Sequence, residues 1–302
     1  MKKGIGKAHG KIILVGEHAV VYGYPAIAMP LLSSQVKVIL SNSEKTLIKS
    51  EYFNGNVADL SEAYDPIKAL IQKLLNDFSM EGCKLEIETS IPLSAGLGSS
   101  AAIASAITEA FFDYHLKPLS QPERFNYVQF SETLAHQNPS GIDALITMSN
   151  TPILFKKGTP FEAFPFTLKS YLVVGNTGVK GRTKEAVNHI AKTIDSSATK
   201  SLIEQLGICA TDALAAINEG NIDKLGTLLT LAHQTLDALG VSHPLLNQMV
   251  EDSLSNGAIG AKMTGGGLGG CVIALTKSKE IASNILTSWE SFSGENAFIL
   301  PI

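Results

Sequence analysis

The residues of this chain best suited to chemistry form a short glycine turn that leads into two serines and an alanine-rich segment. Residues 92–102 read Pro-Leu-Ser-Ala-Gly-Leu-Gly-Ser-Ser-Ala-Ala. Gly96 and Gly98 can take positive φ and let a ligand approach the backbone closely, and Ser99 and Ser100 are predicted to cap the following helix. Free amides and the dipole at such a helix start bind phosphate. A tight strand-to-helix turn whose serines only cap would use the same residues, so this stretch alone leaves both interpretations open.

A second glycine cluster, at 262–271, reads Lys-Met-Thr-Gly-Gly-Gly-Leu-Gly-Gly-Cys and formally contains G-x-G-x-x-G. The dinucleotide-binding interpretation is excluded because that motif needs a helix after it, whereas residues 271–275 are predicted to be a strand. No P-loop motif occurs in the sequence. Five glycines within six positions exceed what a hairpin turn needs, since glycine loses much conformational entropy on folding. Close packing of this turn against a ligand or another loop is therefore predicted.

Several charged residues lie beside apolar segments, where a charge needs a partner. Asp143 is surrounded by small and apolar residues, and Glu132 precedes it by eleven positions. Lys11 stands at the start of a predicted apolar strand, with Glu17 and His18 beyond its end. The seven histidines show no metal-binding spacing, and His18 is the one for which a functional role is expected.

Composition places the chain among ordinary globular proteins. Its 302 residues suggest about two domains, and 45% hydrophobic residues with 17% charged residues exclude disorder. A net charge of −4 gives no electrostatic footprint for nucleic acid or for an anionic membrane. Three widely spaced cysteines favour a reducing, cytoplasmic setting. No apolar stretch is long enough for a membrane span or a signal peptide.

The periodicity of apolar residues predicts alternating strands and helices, which alone would favour a doubly wound parallel sheet. A connection rich in Pro and Phe at 158–168 is the predicted boundary between a domain of residues 1–168 and one of residues 169–302. Strands are predicted at 11–15, 34–40, 85–87, 153–155, 172–175, 271–275 and 297–300. Helices are predicted at 65–78, 101–114, 125–135, 183–194, 201–218, 222–239 and 244–255.

Three separate motifs resemble those of the GHMP kinase superfamily, in its order and at its spacing. They are Lys-Ile-Ile-Leu-Val-Gly-Glu-His-Ala-Val-Val-Tyr-Gly at 11–23, the glycine turn at 92–102 and the glycine cluster at 262–271. Glu132 and the His-Gln-Asn-Pro-Ser-Gly-Ile-Asp segment that ends at Asp143 are similar to the intervening region of mevalonate kinases. Leu268 departs from the glycine run of animal members. The resemblance implies an α+β fold of two domains, the first like domain 2 of ribosomal protein S5 and the second ferredoxin-like, in place of the doubly wound sheet.

The resemblance also implies an activity: the phosphorylation of the primary hydroxyl of mevalonate by ATP and Mg²⁺, in the mevalonate route to isoprenoids. Asp143 and Lys11 would be catalytic, with Asp143 chiefly orienting the hydroxyl. Ser100 and Glu132 would bind Mg²⁺. The ATP phosphates would be bound by Pro92, Ser94, Ala95, Gly96, Leu97, Gly98, Ser99, Ser100 and Ala101. The second substrate would be bound by Glu17, His18, Ser140, Asp143, Arg182, Thr183, Gly265 and Gly266.

Three alternatives stay open at this point. A sibling kinase acting on phosphomevalonate or another small alcohol would share most of these motifs. A catalytically silent sensor would lack Lys11, Ser100, Glu132 or Asp143, and all four are present. An RNA-binding role for the S5-like half is disfavoured by the acidic balance of charge. The oligomeric state is not fixed by the sequence, with a homodimer among the options.

Overall fold

The computed structural model describes residues 2–92, 95–135, 139–166, 168–293 and 297–302. Ser94, predicted to bind ATP, and residues 136–138 of the segment before Asp143 lie outside the described residues.

The described residues form strands and helices in a mixed order. The strands are β1 (Lys3–Val15), β2 (Ala26–Asn42), β3 (Leu47–Lys49), β4 (Asn54–Asn56), β5 (Cys83–Thr89), β6 (Ile153–Phe155), β7 (Glu162–Ala163), β8 (Tyr171–Asn176), β9 (Gly260–Thr264), β10 (Cys271–Thr276) and β11 (Ala297–Pro301). The helices are α1 (Asp65–Asp77), α2 (Ser99–Tyr114), α3 (Gln121–Ala135), α4 (Ile142–Ile146), α5 (Thr183–Thr193), α6 (Ser197–Asn218), α7 (Ile222–Ala238), α8 (Pro244–Ser255) and α9 (Lys279–Ser293).

The chain divides into two compact units that are not continuous in sequence. The first unit comprises Met1–Lys11, Pro30–Ile91 and Gly98–Asn150, and the second comprises Ile12–Met29, Pro92–Leu97 and Thr151–Ile302. Strands β1 and β2 each contribute residues to both units. The domain boundary at residue 168 stays a prediction, since these units follow spatial packing rather than one cut in the sequence.

The first unit combines a sheet with a buried helix. β5 pairs antiparallel with β2 (Val36 opposite Thr89) and parallel with β3, and β3 pairs antiparallel with β4. Helix α2 packs against α1, α3 and α4. Its side chains are apolar nearly all round, and Ile107 and Phe111 are fully buried. The prediction that this helix is central and buried is confirmed.

The second unit contains an antiparallel sheet in the order β11-β8-β10-β9. Cys271 of β10 lies opposite Thr264 of β9 on one side and Asn176 of β8 on the other. Helices α7 and α8 pack on β9, and α9 packs on β8, where the fully buried Trp289 lies over Gly175. β6 pairs with the first residues of β2 and with β7.

The doubly wound parallel sheet that periodicity alone favours is wrong, because the registered strand pairs are antiparallel except β3 with β5. Helices α4 and α9 were not predicted. β1 begins eight residues before the predicted strand. The apolar pattern does not reveal this early part, because its inward positions are Gly4 and Gly6, which pack against the backbone of α2. A face made of glycine carries no hydrophobic signal. Within the described residues, no helix combines the length and apolar character that a membrane crossing requires.

Candidate active site

The N-terminus of α2 offers backbone amides that the helix itself does not use. Gly98 is its N-cap residue, with φ +76°, and no side chain of the described residues caps this end. The first intrahelical bond runs from the Ala102 amide to the Gly98 carbonyl, at 3.0 Å. The amides of residues 99–101 therefore have no acceptor within the helix. Such an end favours an anion.

The prediction that both serines act as helix caps is wrong. Ser99 is already the first helical residue, and its Oγ is buried without a hydrogen-bond partner among the described residues. Ser100 is exposed, and its hydroxyl donates to the Glu132 carboxyl group. Glycine at the N-cap position leaves these hydroxyls available for other bonds. Its φ +76° is a conformation that serine adopts only with strain.

An ion pair joins the two residues predicted to be catalytic. Lys11 Nζ lies 2.8 Å from Asp143 Oδ1, and the lysine side chain is 6% exposed while that of the aspartate is 34% exposed. The lysine stem runs beside Gly98, where an added Cβ would lie 2.6 Å from Lys11 Cγ. Asp143 occupies the first turn of α4, after Gly141 with φ +92°, and Ser140 Oγ accepts the Ile142 amide at 3.3 Å. The sequence predicts that Asp143 needs a partner, and in the structure that partner is Lys11.

Glu132, on α3, is the second carboxyl group of this cluster. Burial, and then the negative charge of Asp143, raise the pKa of Glu132 to about 7, against the opposing effects of Ser100 and Lys11. Mg²⁺ prefers hard oxygen ligands and is usually held by one or two carboxylates together with substrate phosphates. The exposed Ser100 hydroxyl and the destabilised Glu132 carboxylate fit that ligand set. The described residues contain no cluster of three or more metal-ligating side chains that would hold an ion by itself.

In the second unit, the β9–β10 turn packs against residues 95–96 of the first glycine turn. A Cβ on Gly265 would lie 3.0 Å from the Gly96 carbonyl oxygen, and one on Gly270 would lie 3.1 Å from that of Ala95. Both glycines have positive φ, and Leu268 also has φ +54°. The predicted packing of the glycine cluster against another loop is confirmed. Ala95 and Leu97 are buried, whereas Gly96 and Pro92 are half-buried.

The residues predicted near 182 lie beside the same turn. The Thr183 side chain fills the space that a Cβ on Gly266 would need. The Arg182 amide donates to the Gly267 carbonyl at 3.0 Å, so the start of α5 is tied to the turn. The Arg182 guanidinium is half exposed and donates to Glu185 Oε2 at 2.8 Å. The structure thus brings Thr183 and Gly266 together, while the Arg182 charge is partly satisfied by a neighbour on its own helix.

Glu17 and His18 are both bonded to residues of the glycine cluster. The Glu17 carboxylate forms a buried ion pair with Lys262, and His18 Nε2 lies 3.1 Å from the Gly266 carbonyl oxygen. Burial, and to a smaller extent the Lys262 charge, lower the pKa of His18 to about 4. The neutral ring therefore donates Nε2–H to that carbonyl. Lys262 is not among the predicted site residues, although a lysine within a short buried strand is a signal that it needs a carboxylate.

Comparison with known proteins identifies the class to which this site belongs. The GHMP kinases N terminal domain matches residues 65–150, and the GHMP kinases C terminal domain matches residues 213–295. The chain belongs to the GHMP kinase family, and the α+β fold class expected from the motifs is confirmed.

Within that family, several similar relatives are mevalonate kinases. A mevalonate kinase from Aeropyrum pernix is 31% identical over 299 residues, which cover 95% of this chain and 92% of that protein. The structure of mevalonate kinase from methicillin-resistant Staphylococcus aureus MRSA252 is 32% identical in sequence, with a TM-score of 0.77. The match covers 100% of this chain and 99% of that one. The structure of L. major mevalonate kinase in complex with R-mevalonate is 26% identical in sequence, with a TM-score of 0.81. The match covers 100% of this chain and 95% of that one.

Proposed function

We propose that this chain is an enzyme that transfers the γ-phosphoryl group of ATP to the primary hydroxyl of mevalonate, giving 5-phosphomevalonate. Relatives named mevalonate kinase match nearly the whole chain, and the L. major structure contains R-mevalonate. The observation that carries the proposal is the Lys11–Asp143 ion pair, in the same unit as Glu132, Ser100 and the uncapped start of α2.

In this proposal, Asp143 orients the mevalonate hydroxyl and accepts its proton late in the reaction. Phosphoryl transfer passes through a loose transition state with little bonding to the nucleophile, so early removal of the proton is not required. Lys11 holds the Asp143 carboxylate in place through their 2.8 Å contact. Its positive charge also stabilises the negative charge on the transferring group.

The phosphates of ATP are assigned to the backbone amides at the start of α2 and to the glycine turn before it. The amides of residues 99–101 lack acceptors within the helix, and Gly96 and Gly98 have positive φ. We therefore keep the prediction that the ATP phosphates are bound by residues 92 and 94–101, which we call the ATP loop.

Ser100 and Glu132 are proposed to hold Mg²⁺. When bound, the ion would neutralise negative charge on the ATP phosphates. Burial disfavours the Glu132 carboxylate in the free protein, so a nearby cation would favour its ionised form.

The residues predicted to bind mevalonate keep that assignment in this proposal: His18, Ser140, Asp143, Arg182, Thr183, Gly265 and Gly266. The planar guanidinium of Arg182 suits a carboxylate. Glu17 also belongs to the predicted set, and its carboxylate is engaged by Lys262. A cytoplasmic location and a homodimer both stay predictions.

One assay tests the proposal: ADP release from ATP and Mg²⁺, with mevalonate or phosphomevalonate as the acceptor. We expect turnover with mevalonate and none above background with phosphomevalonate. Turnover with phosphomevalonate alone would replace the proposed function by that of a sibling kinase. Omission of Mg²⁺ in the presence of a chelator should abolish the reaction.

A further inference from the structure

Three side-chain contacts tie the segment 13–18 to the segment 262–266 within the second unit. Thr264 Oγ1 accepts the Ile13 amide at 3.1 Å and donates to the Ile13 carbonyl at 2.9 Å. The Glu17 carboxylate pairs with Lys262, and His18 Nε2 donates to the Gly266 carbonyl. The two segments are therefore fixed to each other at both ends of the contact.

The backbone at His18 is strained. Its φ of +61° and ψ of −49° lie outside the regions that L-residues favour, and the Ala19 amide bonds to the Glu17 carbonyl two residues earlier at 2.8 Å. This is a γ-turn of the rare, strained form. Such turns persist only where their surroundings hold them. Here the side chains on its first two residues, Glu17 and His18, are both bonded to the glycine cluster.

Lys262 supplies the stronger of those two bonds. Its side chain is fully buried, and its ammonium group donates to Glu17 and to the Met263 carbonyl. A buried ion pair is seldom worth more to stability than a neutral pair of similar shape, because desolvation of both charges offsets their attraction. The charge at Lys262 is therefore better explained by the position that it imposes on Glu17 than by a gain in stability.

We propose that Lys262 is a positioning residue that acts through Glu17 to hold the γ-turn at His18, and with it the His18–Gly266 bond, in the geometry that binds mevalonate. The inference rests on the proposed function for the identity of the substrate. Lys262 is not a catalytic residue, because its side chain is fully buried and its ammonium group is bonded to Glu17 and to the Met263 carbonyl.

The test is a cycle of variants: Lys262→Met, Glu17→Gln and the double variant. The neutral double variant removes both buried charges and keeps similar volumes, so its Tm should return to near the wild-type value even if Lys262→Met alone unfolds. Lys277→Met is the matched control, since Lys277 forms an exposed ion pair with Asp223 at 2.6 Å. It should change neither Tm nor activity appreciably.

We expect kcat/KM for mevalonate to fall about 100-fold in each folded variant of the cycle, a loss typical of misplacement by about 1 Å. Because Lys262 acts through Glu17, the double variant should be no worse than Glu17→Gln alone. A double variant with both wild-type Tm and wild-type kcat/KM would show that the pair is structural only. Losses that add in the double variant would show that Lys262 acts independently of Glu17.

Hydrogen exchange gives a readout that needs no substrate. In the double variant, peptides covering residues 16–23 and 263–270 should exchange faster than in the wild type, whereas residues 171–176 of β8 should be unchanged. Exchange at the wild-type rate in both peptides would overturn the positioning role. If the wild type fails to phosphorylate mevalonate, the proposed function falls, and the exchange data still decide whether Lys262 holds the turn.

Discussion

At the scale of single residues, two carboxyl groups lie near one lysine but in different surroundings. Asp143 pairs directly with Lys11 and its side chain is about one-third exposed, whereas Glu132 is buried and the negative charge of Asp143 raises its pKa further. These surroundings, rather than the residue type, distinguish the two groups. Each group therefore suits a different role: Asp143 for a substrate hydroxyl, and Glu132 for a cation.

Replacement of Asp143 tests the first role. Asp143→Asn keeps the size of the side chain but removes its charge and its capacity to accept a proton. We expect kcat to fall by about 10²- to 10⁴-fold while ATP still binds, as measured by steady-state kinetics and by titration with a non-hydrolysable ATP analogue. Asp223→Asn, at the exposed carboxylate paired with Lys277, is the control and should retain full activity. Near-normal kcat in Asp143→Asn would exclude the role.

Replacement of Glu132 should stabilise the free protein and inactivate it. The folded-state pKa of about 7 lies above the ordinary value of 4.5, so the unfolded chain loses this proton first and stability falls as pH rises between these values. Glu132→Gln removes this pH-dependent destabilisation. The free energy of unfolding should therefore rise by up to about 3 kcal/mol near pH 8 and change little near pH 5. Urea denaturation without ligands at both pH values measures it. An equal change in the free energy of unfolding at the two pH values would contradict the raised pKa of Glu132.

At the scale of elements, the sequence predicts the glycine turns but not what they contact. The density of glycine at 265–270 correctly predicts close packing, because a hairpin alone does not need it. That the partner is the Gly96 carbonyl could not be predicted, since it depends on the separation of two segments far apart in sequence. Similarly, the early part of β1 is hidden because Gly4 and Gly6 form its packed face, whereas the helix at 244–255 follows from its Pro start and apolar spacing.

Two alanine substitutions separate backbone strain from contact in the glycine turn. Gly265 and Gly220 both have positive φ, but a Cβ would meet the Gly96 carbonyl at Gly265 and would find open space at Gly220. Each substitution should cost about 1–2 kcal/mol for the backbone conformation. Only Gly265→Ala should also raise KM for ATP, by about tenfold, because it displaces Gly96. Equal KM values for the two variants would show that the contact does not position the ATP loop.

At the scale of the whole molecule, motif order was more informative than composition or periodicity. Length and composition argued against disorder, and charge disfavoured nucleic-acid binding, but all three were compatible with many enzymes. Alternating strands and helices favoured the wrong sheet, because periodicity does not reveal whether neighbouring strands run parallel. The buried charges Lys262 and Glu17 could not be paired from the sequence, since 245 positions separate them. Only the structure shows that the chain holds several ionisable groups away from water.

The buried histidines make the whole molecule sensitive to acid. Burial, as the largest cause, lowers the pKa of both His18 and His233 to about 4, whereas an unfolded chain binds these protons near pH 6.5. The contribution of these two histidines to stability should therefore be constant above about pH 6.5 and fall as pH decreases towards 4, by up to about 3 kcal/mol for each histidine. The contribution of Glu132 changes in the opposite direction between pH 7 and 4.5.

Denaturation midpoints in urea from pH 8 to pH 4 measure this loss. His233→Gln can still accept the Met263 amide, which His233 Nδ1 accepts at 3.3 Å. Its stability relative to the wild type should rise by up to about 3 kcal/mol as pH falls from 6.5 to 4, because the unfolded variant no longer takes up the His233 proton. His189→Gln, at an exposed position, is the control for removal of a histidine and should leave the slope as in the wild type. If His233→Gln leaves the full slope in place, its burial does not govern acid unfolding.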